Sequence, residues 1–148
     1  MVNGNTDSSE IDCPKFAWVI MTLLGCLDLV RGFMHTVLLE YAAQYIMGLD
    51  LAVARDDQLL LLGTFGISNY LTGTMLILVG MKARNIVQYV FLAIPVSYLS
   101  GGFLISRVAS SSARLGGLPM MMVYIAVCIG TFIAILIWKN LKKSGLES

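Results

Sequence analysis

Residues 118–138 read LPMMMVYIAVCIGTFIAILIW, a run that carries no charged side chain. A helix needs about 20 mostly apolar residues to cross the hydrocarbon core of a bilayer. The run ends at Trp138, which Lys139 follows, and aromatic and basic residues are typical of the membrane–water interface. This stretch therefore predicts a transmembrane helix and indicates an integral membrane protein.

Three stretches upstream of this run also have the length and apolar character of membrane spans. They cover approximately residues 16–45, 58–81 and 85–107. Because short connections make consecutive helices antiparallel neighbours, the sequence predicts an all-α fold, an up-down bundle of four transmembrane helices. We expect this domain to occupy residues 15–140, between a polar, disordered tail over residues 1–14 and a basic tail over residues 141–148.

The composition of the 148-residue chain agrees with that prediction. Its mean hydropathy is +0.80, with 57% hydrophobic and 13% charged residues, whereas soluble domains average roughly 45–50% apolar and about 25% charged residues. These values exclude an ordinary soluble domain, a disordered chain and a nucleic-acid binder that uses a basic patch. The lipid bilayer is therefore the expected partner, and nucleic acid is not.

The distribution of Lys and Arg near the span ends predicts the orientation of the chain. The cations on the side of the N-terminus are Lys15, Lys82, Arg84, Lys139, Lys142 and Lys143. The opposite side carries only Arg55, Arg107 and Arg114. Since cytoplasmic loops carry an excess of Lys and Arg, we expect both termini in the cytoplasm and the protein in the cytoplasmic (plasma) membrane.

The first predicted span carries three polar residues whose burial in a bilayer needs a reason. Asp28, Arg31 and His35 are spaced three and four residues apart, so they share one helix face. A charge near the bilayer centre costs on the order of 2.5–3.5 kcal/mol on insertion scales. Two interpretations stay open: a buried site that binds a polar group or relays protons, and an internal Asp28–Arg31 ion pair that stabilises the bundle.

Small and polar residues on the second span predict where it packs. One seam comprises Leu62, Gly66, Asn69, Gly73 and Gly80, and a neighbouring hydroxyl stripe comprises Thr64, Ser68 and Thr72. Small residues let membrane helices approach closely, and Gly32 offers a matching position on the first span. We expect the seam to pack on the first span, with Asn69 hydrogen-bonded to the Asp28–Arg31 pair.

The third and fourth spans complete a predicted polar layer across the bundle. In an antiparallel bundle, Asp28 is predicted to lie at the same bilayer depth as Ser97, Tyr98, Tyr124, Cys128 and Thr131. The opposite face of the fourth span carries small residues at Ala126, Gly130 and Ala134. We assign Gly130 to helix packing, but the sequence leaves open which face lies inside the bundle and which meets lipid or another subunit.

The sequence predicts no catalytic residue and no metal site. It contains one histidine and three widely spaced cysteines, Cys13, Cys26 and Cys128, whereas catalytic metal sites need several ligands at recognisable spacing. Phosphate-loop and nucleophile-elbow motifs are absent from the sequence. No cofactor is predicted, although a lipid or a quinone would suit the polar layer. An enzyme would have only His35, Asp28 and Glu40 as acid–base groups.

Residues 24–95 contain an ordered set of features. They are Arg31-Gly32, the later polar residues His35 and Glu40, the glycines Gly63, Gly66 and Gly73, and the segment Gly80-Met81-Lys82-Ala83-Arg84. This order resembles the DoxX-like group of small four-helix membrane proteins, and Asn69 stands where that group often has an acidic residue. The group includes subunits associated with membrane oxidoreductases, so the resemblance implies an accessory role.

The sequence therefore predicts a non-catalytic accessory or structural subunit of a larger membrane complex, with an oxidoreductase complex as one candidate. Its partners would be other membrane subunits or further copies of the chain. The alternative is a protein that binds or transports a small molecule, a lipid or a quinone. The residues assigned to the polar layer are Asp28, Arg31, His35, Asn69 and Tyr98, and those assigned to helix packing are Gly32, Gly66, Gly73 and Gly130.

Overall fold

The computed structural model describes residues 13–107 and 118–145. Predictions that fall on residues 1–12, 108–117 and 146–148, including most of the N-terminal tail and the loop cation Arg114, lie outside the described residues. The helices are α1 (Lys15–Thr36), the short α2 (Leu39–Tyr41), α3 (Arg55–Lys82), α4 (Val87–Ser106) and α5 (Leu118–Ser144). A π-helical turn, Ala42–Ile46, follows α2, and a 3₁₀ turn, Arg84–Ile86, precedes α4.

The described part of the chain is all-helical, and four of its helices are long and apolar enough to cross a membrane. These segments are Lys15–Thr36, Arg55–Lys82, Arg84–Ser106 and Pro119–Ser144. Large apolar side chains such as Leu23, Leu61, Leu99 and Val123 are exposed on their outer faces. Such a surface is the opposite of what a water-soluble bundle presents, where the outward face is polar.

The first helix ends earlier than the sequence predicts. Instead of continuing to residue 45, α1 ends at Thr36, and the chain resumes as α2 and the π-helical turn. The Thr36 hydroxyl donates to the Gly32 carbonyl oxygen, at 2.8 Å, and lies 3.4 Å from the Phe33 carbonyl oxygen. Back-bonding of this kind bends helices, and the break follows at Leu38, whose φ and ψ are −103° and 36°.

The last helix extends further than the sequence predicts. Helix α5 continues to Ser144, so Lys142 and Lys143 form its last turn and are not part of a separate tail. Cations near a helix C-terminus interact favourably with the helix dipole, which explains why the helix outlasts the apolar run. Helix α3 shows the same charge pattern, with Asp56 and Asp57 in its first turn and Lys82 in its last.

Helices α1 and α3 form the closest pair, and glycines set their separation. A Cβ atom built at Gly25 would lie 2.7 Å from the Gly73 carbonyl oxygen, and one at Gly73 would lie 2.7 Å from the Gly25 carbonyl oxygen. Further along, a Cβ at Gly32 would lie 3.0 Å from the carbonyl oxygen of Gly66. The residue numbers rise on one helix as they fall on the other, so the two helices are antiparallel.

Helices α4 and α5 form a second pair that packs against α1. The core between the pairs includes Met21 from α1, Phe91 from α4, and Cys128 and Ile135 from α5, all fully buried. Only 11% of the most apolar window of the α4 segment is buried, which is the lowest share among the four long helices. Most of α4 therefore faces the surroundings of the protein.

Candidate functional site

Asp28 is the centre of a polar cluster that joins three helices. This α1 carboxylate is 5% exposed and accepts a hydrogen bond from the Tyr124 hydroxyl of α5, at 3.2 Å. Its other interactions are with Arg31 Nη1, at 3.4 Å, and with the Thr72 hydroxyl of α3, at 3.5 Å. A buried charge is tolerated when it is paired and hydrogen-bonded, and Asp28 meets both conditions.

Arg31 lies beside Asp28, but its side chain is more exposed than that of Asp28 and makes fewer hydrogen bonds. The contact to Asp28 is an i,i+3 ion pair within α1, and the Arg31 side chain is 16% exposed. Arg31 Cζ also lies 5.8 Å from the centre of the Phe65 ring, within the range of a cation–π contact. The two charges that the sequence places near the middle of the first span thus neutralise each other.

His35 and Asn69 form a second contact, one to two turns along α1 from Asp28. Asn69 Nδ2 and His35 Nδ1 are 3.4 Å apart, and both residues are almost completely buried. The Phe65 ring lies 5.7 Å from the imidazole, centre to centre, and contacts both His35 and Arg31. Phe65 therefore contacts one residue of the His35–Asn69 pair and one of the Asp28–Arg31 pair.

The predicted partner of Asn69 was wrong. Asn69 contacts His35 and not the Asp28–Arg31 pair, and the α3 residue that reaches Asp28 is Thr72. The register explains the exchange, because Gly66 packs beside His35 while Gly73 packs beside Leu29. Asn69 is nearer in sequence to Gly66, and Thr72 directly precedes Gly73.

Tyr98 reaches the polar layer only through an aromatic contact. Its ring lies 6.2 Å from the ring of Tyr124, centre to centre, at an interplanar angle of 50°. The neighbouring Ser97 is exposed. On α5, Thr131 donates to the Val127 carbonyl oxygen at 2.7 Å, within its own helix. The layer is thus smaller than the sequence predicts. It consists of Asp28, Arg31 and His35 on α1, Asn69 and Thr72 on α3, and Tyr124 on α5.

Three of the four glycines assigned to packing lie in the α1–α3 contact, and the fourth packs against none of the described residues. Gly32, Gly66 and Gly73 are buried between these helices. Gly130 is exposed, and a Cβ atom there would meet nothing within 4 Å. The inward face of α5 is therefore the one with Tyr124, and the assignment of Gly130 to packing stays a prediction about contacts outside this chain.

Sequence reasoning missed the roles of Tyr124 and Tyr70. Tyr124 lies at the predicted depth, but it was not assigned to Asp28. Tyr70 lies 3.1 Å from the Thr36 hydroxyl, oxygen to oxygen, and so ties α3 to the end of α1. The usable signal for Tyr124 was its phenol in an otherwise apolar run, since a buried Tyr hydroxyl usually has a hydrogen-bond partner.

The arrangement suits a fixed polar network better than acid–base chemistry. Glu40, the third candidate acid–base group, forms an ion pair with Arg55 away from Asp28 and His35. The side chains of Glu40 and Arg55 are substantially exposed. Among residues 13–107 and 118–145, no group of three or more His, Cys, Asp or Glu side chains is placed to hold a metal ion. The buried groups thus hold one another, and their contacts link α1 to α3 and α5.

The chain was compared with models of protein families, with curated proteins and with solved structures, and none of the three comparisons found a significant match.

Proposed function

We propose that this chain is an integral membrane protein that crosses the bilayer four times as an up-down bundle, with both termini in the cytoplasm. Four long apolar helices with exposed apolar outer faces support the insertion. The excess of Lys and Arg on the side of the chain termini supports the orientation. In this arrangement Asp28 lies near the middle of the bilayer.

The role we propose is that of a non-catalytic accessory or structural subunit in a larger membrane assembly. The observation that carries this proposal is that the buried charges hold one another. Asp28 interacts with one side chain on each of α1, α3 and α5, and the His35 ring contacts the Asn69 amide. A network with this pairing needs no ligand to stabilise it, and it joins the helices that the bundle must keep together.

The outer faces of α4 and α5 support the proposed contact with other subunits of the assembly. Helix α4 is mostly unburied, and Gly130 presents an open, small-residue position on α5. Small residues let transmembrane helices approach each other closely, so this face suits a neighbouring subunit. The resemblance to DoxX-like proteins extends the proposal to a membrane oxidoreductase assembly.

Replacing Gly130 by leucine is expected to release the partner subunits while the chain itself stays folded. Apart from the adjoining backbone of α5, no atom of the described residues lies within 4 Å of the added Cβ, so the leucine side chain starts from an open position. Native mass spectrometry after gentle extraction would measure the partners that remain bound, and thermal unfolding would measure the fold. Gly101→Leu probes the outer face of α4 in the same way, because its Cβ is equally unobstructed.

The wild-type protein provides the decisive outcome for the accessory role. A stable complex that Gly130→Leu or Gly101→Leu dissociates, without a change in thermal unfolding, supports it and identifies the helix that meets the partner. A wild-type chain extracted as a monomer without companions contradicts it. A complex that survives both substitutions excludes α4 and α5 at these positions as the contact.

A second candidate function, binding of a lipid, a quinone or another small polar molecule, is supported by Arg31. Its guanidinium has five N–H donors, and within the described residues it makes one hydrogen bond, to Asp28. We expect Arg31→Ala to lose a ligand that co-purifies with the wild type, whereas Gly130→Leu would retain it. Mass spectrometry of extracted small molecules distinguishes the two; an unchanged ligand content in Arg31→Ala would refute binding through this residue.

A further inference from the structure

The end of the bundle where α1 and α4 begin and α3 and α5 end differs in charge from the other end. We call it the basic end. Its cations are Lys15, Lys82, Arg84, Lys139, Lys142 and Lys143. Apart from Asp28, the described carboxylates are Glu40, Asp50, Asp56 and Asp57, and they belong to the segment around the opposite end. Among the residues that the structure describes, the basic end therefore has no carboxylate.

Two of these cations lie in one cleft and are held by neutral groups. Arg84 and Lys139 line the same cleft, together with Gln88 and Cys13. Lys139 donates to the Gln88 side-chain oxygen, and Arg84 Cζ lies 4.5 Å from the centre of the Trp18 ring. These contacts orient the two cations without neutralising either of them.

The thiol in the cleft adds no negative charge. Burial raises the pKa of Cys13, and the nearby Lys139 and Arg84 oppose this shift with a smaller effect. The thiol is therefore protonated at neutral pH. The cleft is too narrow to admit a water molecule, so an anion would bind over its rim, which both Arg84 and Lys139 line.

The position of the cleft identifies the class of anion. Trp18 lies near the start of α1, and indole rings near the ends of membrane helices lie at the level of lipid headgroups. Basic pockets between transmembrane helices on the cytoplasmic side bind anionic lipid headgroups. We propose that Arg84 and Lys139 form a binding site for the headgroup of an anionic phospholipid, an inference that rests on the proposed membrane insertion and orientation.

The experiment uses the full chain reconstituted in vesicles of phosphatidylcholine and phosphatidylglycerol. Native mass spectrometry after gentle extraction counts the phosphatidylglycerol molecules that remain bound to each protein. Arg84→Gln with Lys139→Gln is expected to lower this retention about thirtyfold, because each of the two cations contributes roughly 1 kcal/mol to the attraction of anionic lipid. Arg84 is exposed and Lys139 is partly buried, and thermal unfolding checks that the double variant is folded.

Matched controls separate a discrete site from general attraction. Lys82→Gln removes a cation from the same end that does not line the cleft, and Arg55→Gln removes one from the opposite end. Arg55→Gln is expected to retain phosphatidylglycerol as the wild type does, and Lys82→Gln to lose no more than the general attraction of one cation, about fivefold. Equal losses in Lys82→Gln and in the double variant would overturn the proposal, as would unchanged retention in the double variant. Retention of inorganic phosphate without any retention of phosphatidylglycerol would also overturn it, because the occupant would then be a free anion.

The acidic residues of the N-terminal segment provide a further test. Asp7, Glu10 and Asp12 precede Cys13 in the sequence, so the test separates their negative charges from that of the lipid. Retention by the full chain supports the lipid site, whereas retention that occurs only after removal of residues 2–12 contradicts it.

The lipid count is independent of protein companions in the same spectrum. A chain without companions that still retains the lipid would therefore contradict the accessory role alone, and a chain that does not enter vesicles would contradict the proposed insertion.

Discussion

Replacing Gly73 by alanine is expected to destabilise the protein by about 2 kcal/mol, since inserting a methyl group into a well-packed contact typically costs about 1–3 kcal/mol. The new Cβ would lie 2.7 Å from the Gly25 carbonyl oxygen and 3.0 Å from the Leu29 backbone nitrogen. Backbone atoms cannot rotate away as a flexible side chain can. Helices α1 and α3 would therefore have to separate, and the contacts of Asp28 with Thr72 and of His35 with Asn69 would lengthen.

Gly63 offers a matched control on the same helix with the opposite expected sign. The nearest atom to a Cβ at Gly63 is a Leu39 side-chain carbon at 3.8 Å, an ordinary van der Waals distance. Alanine there removes the helix penalty of glycine without a clash, so we expect a stabilisation of about 0.5–1 kcal/mol. Reversible unfolding in mixed micelles, followed by circular dichroism, measures both free energies of unfolding. If the two variants show equal effects, glycine does not set the α1–α3 distance.

The α1–α3 contact was predictable from the sequence because its signal is local. Gly66, Asn69 and Gly73 lie on one face by helical periodicity alone, and the structure buries all three against α1. The break in the first helix was not predictable in this way. It follows from the contacts of the Thr36 hydroxyl with Gly32, Phe33 and Tyr70, and the last of these depends on packing.

The parts of the site that depend on register and rotation could not be derived from the sequence. A shift of three residues along α3 decides whether Asn69 or Thr72 meets Asp28, and composition is equally compatible with both. The rotation of α5 about its own axis was equally difficult to derive, because it decides whether the face with Gly130 points inward or outward. Small residues suit an internal contact and an external one equally well, and only the inward position of Tyr124 shows that Gly130 faces outward.

Removing both charges of the Asp28–Arg31 pair is expected to cost less stability than the sum of the two single removals. Asp28→Asn leaves Arg31 as an uncompensated cation in an apolar bundle, and breaking a buried pair in this way costs about 3–5 kcal/mol. Arg31→Leu leaves the carboxylate of Asp28 with only the hydroxyl groups of Thr72 and Tyr124. That loss is expected to be smaller, about 1–3 kcal/mol, because the remaining hydrogen bonds stabilise the anion.

The double variant, Asp28→Asn with Arg31→Leu, separates the pair interaction from the effects of each side chain. Without either charge, the asparagine still offers an oxygen to Tyr124, and leucine fills the place of the arginine stem. We expect the double variant to recover about 2 kcal/mol relative to the sum of the single variants, a coupling within the range for residues in direct contact. Unfolding in mixed micelles gives the three free energies that the cycle needs.

The cycle also decides between the two interpretations of the polar layer. If the pair stabilises the bundle, the double variant keeps its partner subunits and loses only part of its stability. If the pair binds a ligand, the double variant loses the ligand even where its stability is largely restored, because no charge remains to hold it. Additive single effects would show that Asp28 and Arg31 do not interact in the membrane. A double variant with unchanged stability, assembly and ligand content would exclude both roles, and Asp28 would then contribute nothing through Arg31.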